Sequence, residues 1–167
     1  MSDTGNHRIR KITSAGVVST LAGSSQGQGS ADGTGTSAQF YFPFGITLDS
    51  AQNVYVADSY NNKIRKITPA GVVSTFAGSI GGVGGYVDGI GTAAKFDGPS
   101  GITIDSAGNL YVTDNNSNKI RKITSAAVVS TFAGSSQGYA DGSRATSQFA
   151  RPNGITLGMS GILYGIF

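Results

Sequence analysis

KIRKITPAGVVSTFAGS, running from Lys63 to Ser79, has two near-copies in the same chain. They are RIRKITSAGVVSTLAGS from Arg8 and KIRKITSAAVVSTFAGS from Lys119. Each copy reads as two β-strands joined by a tight turn. The flanks are rich in Ile, Val, Thr and Phe, and the turn carries small residues and Gly. Near-identical text at a spacing of about 55 residues, marked by Ile9, Ile64 and Ile120, is the signature of a repeat architecture.

Working outward, PFGITLDS (Pro43 to Ser50) and NVYVAD (Asn53 to Asp58) add two more strands upstream of the quoted stretch. The four strands of a unit are A, B, C and D in order. The A–B link Ser50-Ala51-Gln52 and the B–C link Ser59-Tyr60-Asn61-Asn62 have hairpin chemistry, since Asn and Asp tolerate left-handed backbone. No stretch has a helical period. Four short antiparallel strands followed by a long D–A link describe a blade of an all-β propeller.

The units divide the chain as follows. Residues 1–39 hold strands C and D of one blade and a linker. Residues 40–95 and 96–148 are full blades, and 149–167 hold strands A and B of a last one. Met1-Ser2-Asp3 leads straight into the first unit with no signal peptide, and at the far end Gly165-Ile166-Phe167 replaces the expected Val-x-Asp. Unpaired strand edges are avoided in folded proteins, so the two half blades are expected to find complements. Three blades pack poorly around an axis, whereas typical propellers have about four to eight. The expectation is a homodimer forming a six-bladed ring, with strand B of one chain pairing with strand C of the other. The alternative is a fragment of a longer propeller.

The 167 residues carry 12 basic and 9 acidic side chains, for a net charge of +3, and there is no Cys. Disulfides and thiolate metal sites are thereby excluded. No apolar run is long enough to span a membrane. Every acid is Asp, and nine of the twelve basic residues lie in the three C strands. That placement reads as a solvated outer wall. Nucleic-acid binding is disfavoured, because the cations alternate with Ile and the aromatics lie elsewhere.

These residues resemble the NHL repeat family. The carrying text is Pro99-Ser100-Gly101-Ile102, then Asp105 through Asp114 with Gly108-Asn109-Leu110-Tyr111-Val112, then Asn118-Lys119-Ile120-Arg121-Lys122. The second unit matches too, with Gln52 in place of the turn Gly, and the extended linker is similar to that of bacterial multi-repeat members. The resemblance implies a propeller, commonly six-bladed, used most often as a platform for protein or RNA and in some members as a lyase. It also implies a secreted or extracytoplasmic bacterial parent. Fold alone does not choose among these uses.

The candidate sites are few. Asp3, Asp58 and Asp114 end the B strands and read as turn caps. Asp32, Asp88 and Asp141 each precede Gly in a linker, too few oxygens for calcium without extensive help from carbonyls. His7 is the only histidine, where a zinc site normally wants two or three. No metal, cofactor or catalytic residue is therefore assigned, and the chain reads as a non-enzymatic binding or scaffold module. B–C and D–A loops emerge on one face of a propeller, and loops on a rigid frame carry recognition. Tyr beside small polar residues suits such a surface. The expected residues for binding an unknown protein or a small ligand are Tyr60, Asn61, Tyr86, Asp88, Asn115, Asn116, Tyr139, Asp141 and Arg144.

Overall fold

A computed structural model of the chain describes residues 1–24 and 26–166. It is all-β, with antiparallel strands and only short 3-10 turns between them. The first partial blade holds β1 (Ser2–Asp3), β2 (Arg8–Ile12) and β3 (Val18–Ala22). The linker strand β4 (Gly33–Thr34) follows. The next blade is β5 (Pro43–Leu48), β6 (Val54–Asp58), β7 (Lys63–Ile67) and β8 (Val72–Ala77). After linker strand β9 (Gly89–Ile90) come β10 (Pro99–Ile104), β11 (Leu110–Asp114), β12 (Lys119–Ile123) and β13 (Val128–Ala133). The last partial blade is β14 (Gly154–Leu157) with β15 (Leu163–Ile166).

The full blades follow the A–B–C–D order read from the sequence, and each gains a fifth strand. β4 pairs antiparallel with β8, and β9 with β13, so each linker lies along the outer edge of the blade that follows it. This corrects the reading of the linkers as plain loops. Each strap makes one more tie, from the Gly35 N–H to the Gly71 carbonyl and from Gly91 to Ala127.

Apolar burial lies between blades. Val54, Val56, Ile67 and Val73 of the second blade pack with Ile9, Ala22 and Phe40 on one side. Tyr55, Ala57 and Ile64 pack with Phe96, Ile102, Val112 and Ile123 on the other. Both faces of a central strand are therefore covered, which explains why β6 and β11 are buried at every position. Burying apolar surface contributes about 25 cal/mol per Å², so these interfaces are the main source of stability.

Toward the axis, the Gly of each Pro-x-Gly lets neighbouring A strands touch. A Cβ on Gly45 would strike the Ser100 carbonyl and the Ile102 nitrogen. One on Gly101 would strike the Asn153 carbonyl, the Ile155 nitrogen and Thr113 Oγ1. These are mostly backbone atoms, which cannot step aside. Gly101→Ala is expected to cost about 1–3 kcal/mol of unfolding free energy, the usual range for overpacking, as measured by urea denaturation. Unchanged stability would mean that the blades are free to spread at the axis.

Candidate functional site

The C strands are not a solvated wall. Arg65 and Arg121 have fully buried side chains, and Lys63 and Lys119 are also buried. Because both blade faces are interfaces, an arginine that alternates with Ile must enter one of them. Arg65 is held by four acceptors: Asp58 Oδ2 at 2.8 Å, Asp32 Oδ1 at 2.6 Å, and the carbonyls of Gln39 and Ala31 at 2.9 and 3.0 Å. Arg121 repeats the set with Asp114, Asp88, Lys95 and Val87. Each guanidinium thus joins strand B of its own blade to the strap arriving from the previous one. Planar, five-donor geometry suits arginine to this task.

Strand-B Asp residues do more than cap their own turn. Asp58 Oδ1 accepts the Tyr41 N–H and Asp114 Oδ1 the Asp97 N–H, fixing the entry to strand A. Burial pushes the Asp114 carboxyl up to about 6, outweighing the Asp97 N–H and Arg121, which favour the charged form. Burial pushes Asp58 in the same direction.

The B–C turns link blades as well. His7, Asn62 and Asn118 close them in the left-handed conformation, with φ of 55°, 53° and 55°. Each accepts a backbone N–H from the next blade: Phe42 to His7 Nδ1 at 3.2 Å, Gly98 to Asn62 Oδ1 and Arg151 to Asn118 Oδ1 at 2.8 Å. His7 is therefore part of the framework. Among the described residues no group of three or more His, Cys, Asp or Glu is placed to hold a metal ion.

Beside these turns a groove of about 380 Å³ opens between the second and third blades. It is lined by Phe44, Tyr60, Asp97, Asn115, Asn116 and Asn153, among others. Tyr60 and Phe44 are 61% and 47% exposed, so apolar ring surface faces solvent here. Tyr60 stands against Tyr41 and Phe42, with ring centroids 5.0 and 4.8 Å away. Asn116 Nδ2 donates to Asp97 Oδ1 at 3.0 Å, and the Asn115 amide donates to the Arg151 and Pro152 carbonyls.

Of the binding residues expected from sequence, the structure brings Tyr60, Asn115 and Asn116 together in this groove. Asn61 spends its amide on the Gly29 carbonyl and Asp58. Asp88 is engaged by Arg121. Tyr86 lies under the Lys119 ammonium, 4.8 Å from the ring centroid, and Arg144 covers the Phe132 ring at 4.2 Å. Tyr139 and Asp141 line a separate hollow of about 420 Å³. Sequence reasoning missed Phe44, Ser100 and Asn153. All three are the middle residue of Pro-x-Gly, and all three line the groove. Their variation inside an otherwise constant motif was the available signal.

The NHL repeat pattern matches residues 40–67 and 96–123, strands A to C of the two full blades. NHL repeat-containing protein 2 of Homo sapiens is 36% identical over 95 residues, 56% of this chain. The curated relatives are far longer, and the chain spans 9% to 13% of their length. A protein of unknown function from Bacteroides thetaiotaomicron superposes over 90% of this chain and 37% of its own, with a TM-score of 0.72 and 26% identity. An auxiliary nutrient binding protein from Bacteroides ovatus superposes over 98% and 41%, with a TM-score of 0.72 and 20% identity. Two stretches of the chain thus match the NHL repeat, and its fold is that of a β-propeller.

The Asp114 carboxyl supplies a pH test. A carboxyl raised in the folded state adds stability that is complete below the unfolded value near 3.8 and is lost as pH rises through about 6. Relative to Asp114→Asn, which cannot titrate, the native chain is expected to lose unfolding free energy between pH 4 and 6 and then level off. Urea titrations of both proteins at several pH values check this. A native chain that gains stability relative to Asp114→Asn as pH rises would contradict it.

Proposed function

We propose that the chain is a non-catalytic propeller module that binds a small, uncharged polar ligand on the B–C and D–A loop face. The observation that carries this is the groove itself. Exposed rings of Tyr60 and Phe44 line it together with Asn116, Asn153 and the single carboxylate of Asp97. Rings offer a flat stacking surface, and amides both donate and accept hydrogen bonds. A hydroxylated ring such as a sugar matches both. The varied x positions of Pro-x-Gly then select the ligand, while the Asp–Arg framework holds them in place.

The module is also proposed to assemble as a homodimer with six sectors, each half blade meeting its complement. Several residues buried in the full blades have exposed counterparts at the ends: Ile12 is 51% exposed where Ile67 is fully buried, and Tyr164 is 58% exposed where Tyr55 is 7%. Strand pairing between copies is narrower than the sequence suggested. β1 already pairs with the start of β2 through Ser2↔Ile9 and Asp3↔Arg8. By the register Val54↔Ile67 and Tyr55↔Lys66, what is left for a second copy is Leu163 opposite Ile12 and Tyr164 opposite Lys11.

Titration with neutral oligosaccharides, followed by tyrosine fluorescence in this Trp-free chain, tests the ligand reading. Saturable binding is expected, weakened about tenfold by Tyr60→Ala through loss of ring stacking. Binding indifferent to Tyr60, or no saturable binding at all, would contradict it.

A further inference from the structure

Four positions of the loop face recur at successive blade junctions, and their hydrogen bonds identify them. Phe42 N–H meets His7 as Gly98 N–H meets Asn62. Tyr41 N–H meets Asp58 as Asp97 N–H meets Asp114. Tyr60 N–H meets the Tyr41 carbonyl as Asn116 N–H meets that of Asp97. The groove between the second and third blades is thus built on Asn62, Asp97, Gly98 and Asn116, which are polar or lack a side chain. At the preceding junction the same four positions carry His7, Tyr41, Phe42 and Tyr60, and every one is a ring.

These rings touch. His7 meets Phe42 and Tyr41 edge-on, with centroids 4.8 and 5.5 Å away. Tyr41 and Phe42 are 5.4 Å apart, and Tyr60 leans on both. Mutual support of this kind holds the rings in place before any ligand arrives. Tyr41 and Phe42 are partly exposed. Tyr60 also lines the groove, so ring patch and groove are continuous.

Phe42 keeps its ring against the preference of its backbone. Its φ is 48°, in the left-handed region, where its counterpart Gly98 has 65°. A Cβ crowds the following carbonyl there, and a bulky side chain is a rare occupant. Glycine makes the same turn freely one blade on. Strained residues of this kind cluster at ligand sites.

We infer that Tyr41, Phe42 and Tyr60 form a second subsite, which stacks the next ring of a neutral oligosaccharide whose first ring lies in the polar groove. The inference rests on the ligand reading proposed above and extends it from one sugar ring to a chain of them. A pyranose offers an apolar face to the rings and hydroxyls to the amides. A nucleic acid is disfavoured, because no lysine or arginine lines the groove and Asp97 places a carboxylate in it. A wholly apolar ligand would leave the polar groups of the groove without partners.

Titration of the full chain with glucose and with its β-1,4-linked dimer, followed by amide chemical shifts, tests this. The dimer is expected to bind about tenfold more tightly than glucose, the worth of one added stacked ring. Phe42→Gly and Tyr41→Asp each restore what the next junction carries. Both are expected to bind glucose as the native chain does and to lose the gain for the dimer. Urea unfolding separates ligand contact from packing. Phe42→Gly is expected to unfold at no lower urea concentration than the native chain, because strain is relieved as the ring is lost. A marked fall would make the ring a packing element and overturn the reading of its strain, leaving Tyr41→Asp to decide the subsite. Equal affinity of the native chain for the two sugars, or a gain that survives in either folded variant, overturns the second subsite and leaves the groove standing. No saturable binding of either sugar overturns both readings.

Discussion

A guanidinium without solvent has to find its partners in the protein, and the two terminal nitrogens of Arg65 find theirs in groups from two sources. Asp58 belongs to the adjacent strand of the same sheet. Asp32 and the carbonyls of Ala31 and Gln39 belong to the strap that arrives from the preceding blade. A blade that slid against its strap would leave a buried charge with one partner. Burying a charge pair gives little net stability, but removing one partner is costly, so such a pair specifies position. Apolar burial between blades drives their association, and the arginine fixes where each strap must lie.

The rest of the architecture follows from that placement. The strap, pinned by Asp32, extends as β4 along β8 and ties Gly35 to Gly71. The same Asp58 that receives Arg65 receives the Tyr41 N–H, so clamp and strand-A entry are set together. From there Pro43-Phe44-Gly45 turns into the axis, where glycine allows the A strands to touch and the middle residue is left facing the groove. A constant framework thus delivers one variable side chain per blade to a shared face. A repeat protein can in this way hold its fold and vary what it binds.

Much of the fold was legible because strand signals, turn residues and period agreed. In the full blades, strand boundaries moved by two residues at most, and the left-handed Asn62 and Asn118 sit where turn chemistry put them. The error on the C strands came from treating cations as surface groups. Alternating Arg and Ile means one exposed face in an isolated sheet, but a blade between two blades has none. The sequence did carry the correction: Arg65 and Arg121 each follow a strand-B Asp by seven residues and a strap Asp by thirty-three. The groove was only partly legible. Tyr60, Asn115 and Asn116 have the composition of a binding loop, whereas Phe44, Ser100 and Asn153 are hidden inside a motif whose fixed residues draw attention to the fold. Asp88 and Tyr86 look like recognition residues, and their engagement with Arg121 and Lys119 depends on contacts that no local pattern reveals.

The claim that the strap is held by the buried arginine is tested most directly by a double-mutant cycle between Arg65 and Asp32, using Arg65→Gln and Asp32→Asn and reading unfolding free energy in urea. The account predicts a coupling of at least about 1 kcal/mol, since the charge pairing across the 2.6 Å contact is lost in either single variant and cannot be lost again in the double. Additive effects, within the roughly 0.3–0.5 kcal/mol seen for independent sites, would contradict it.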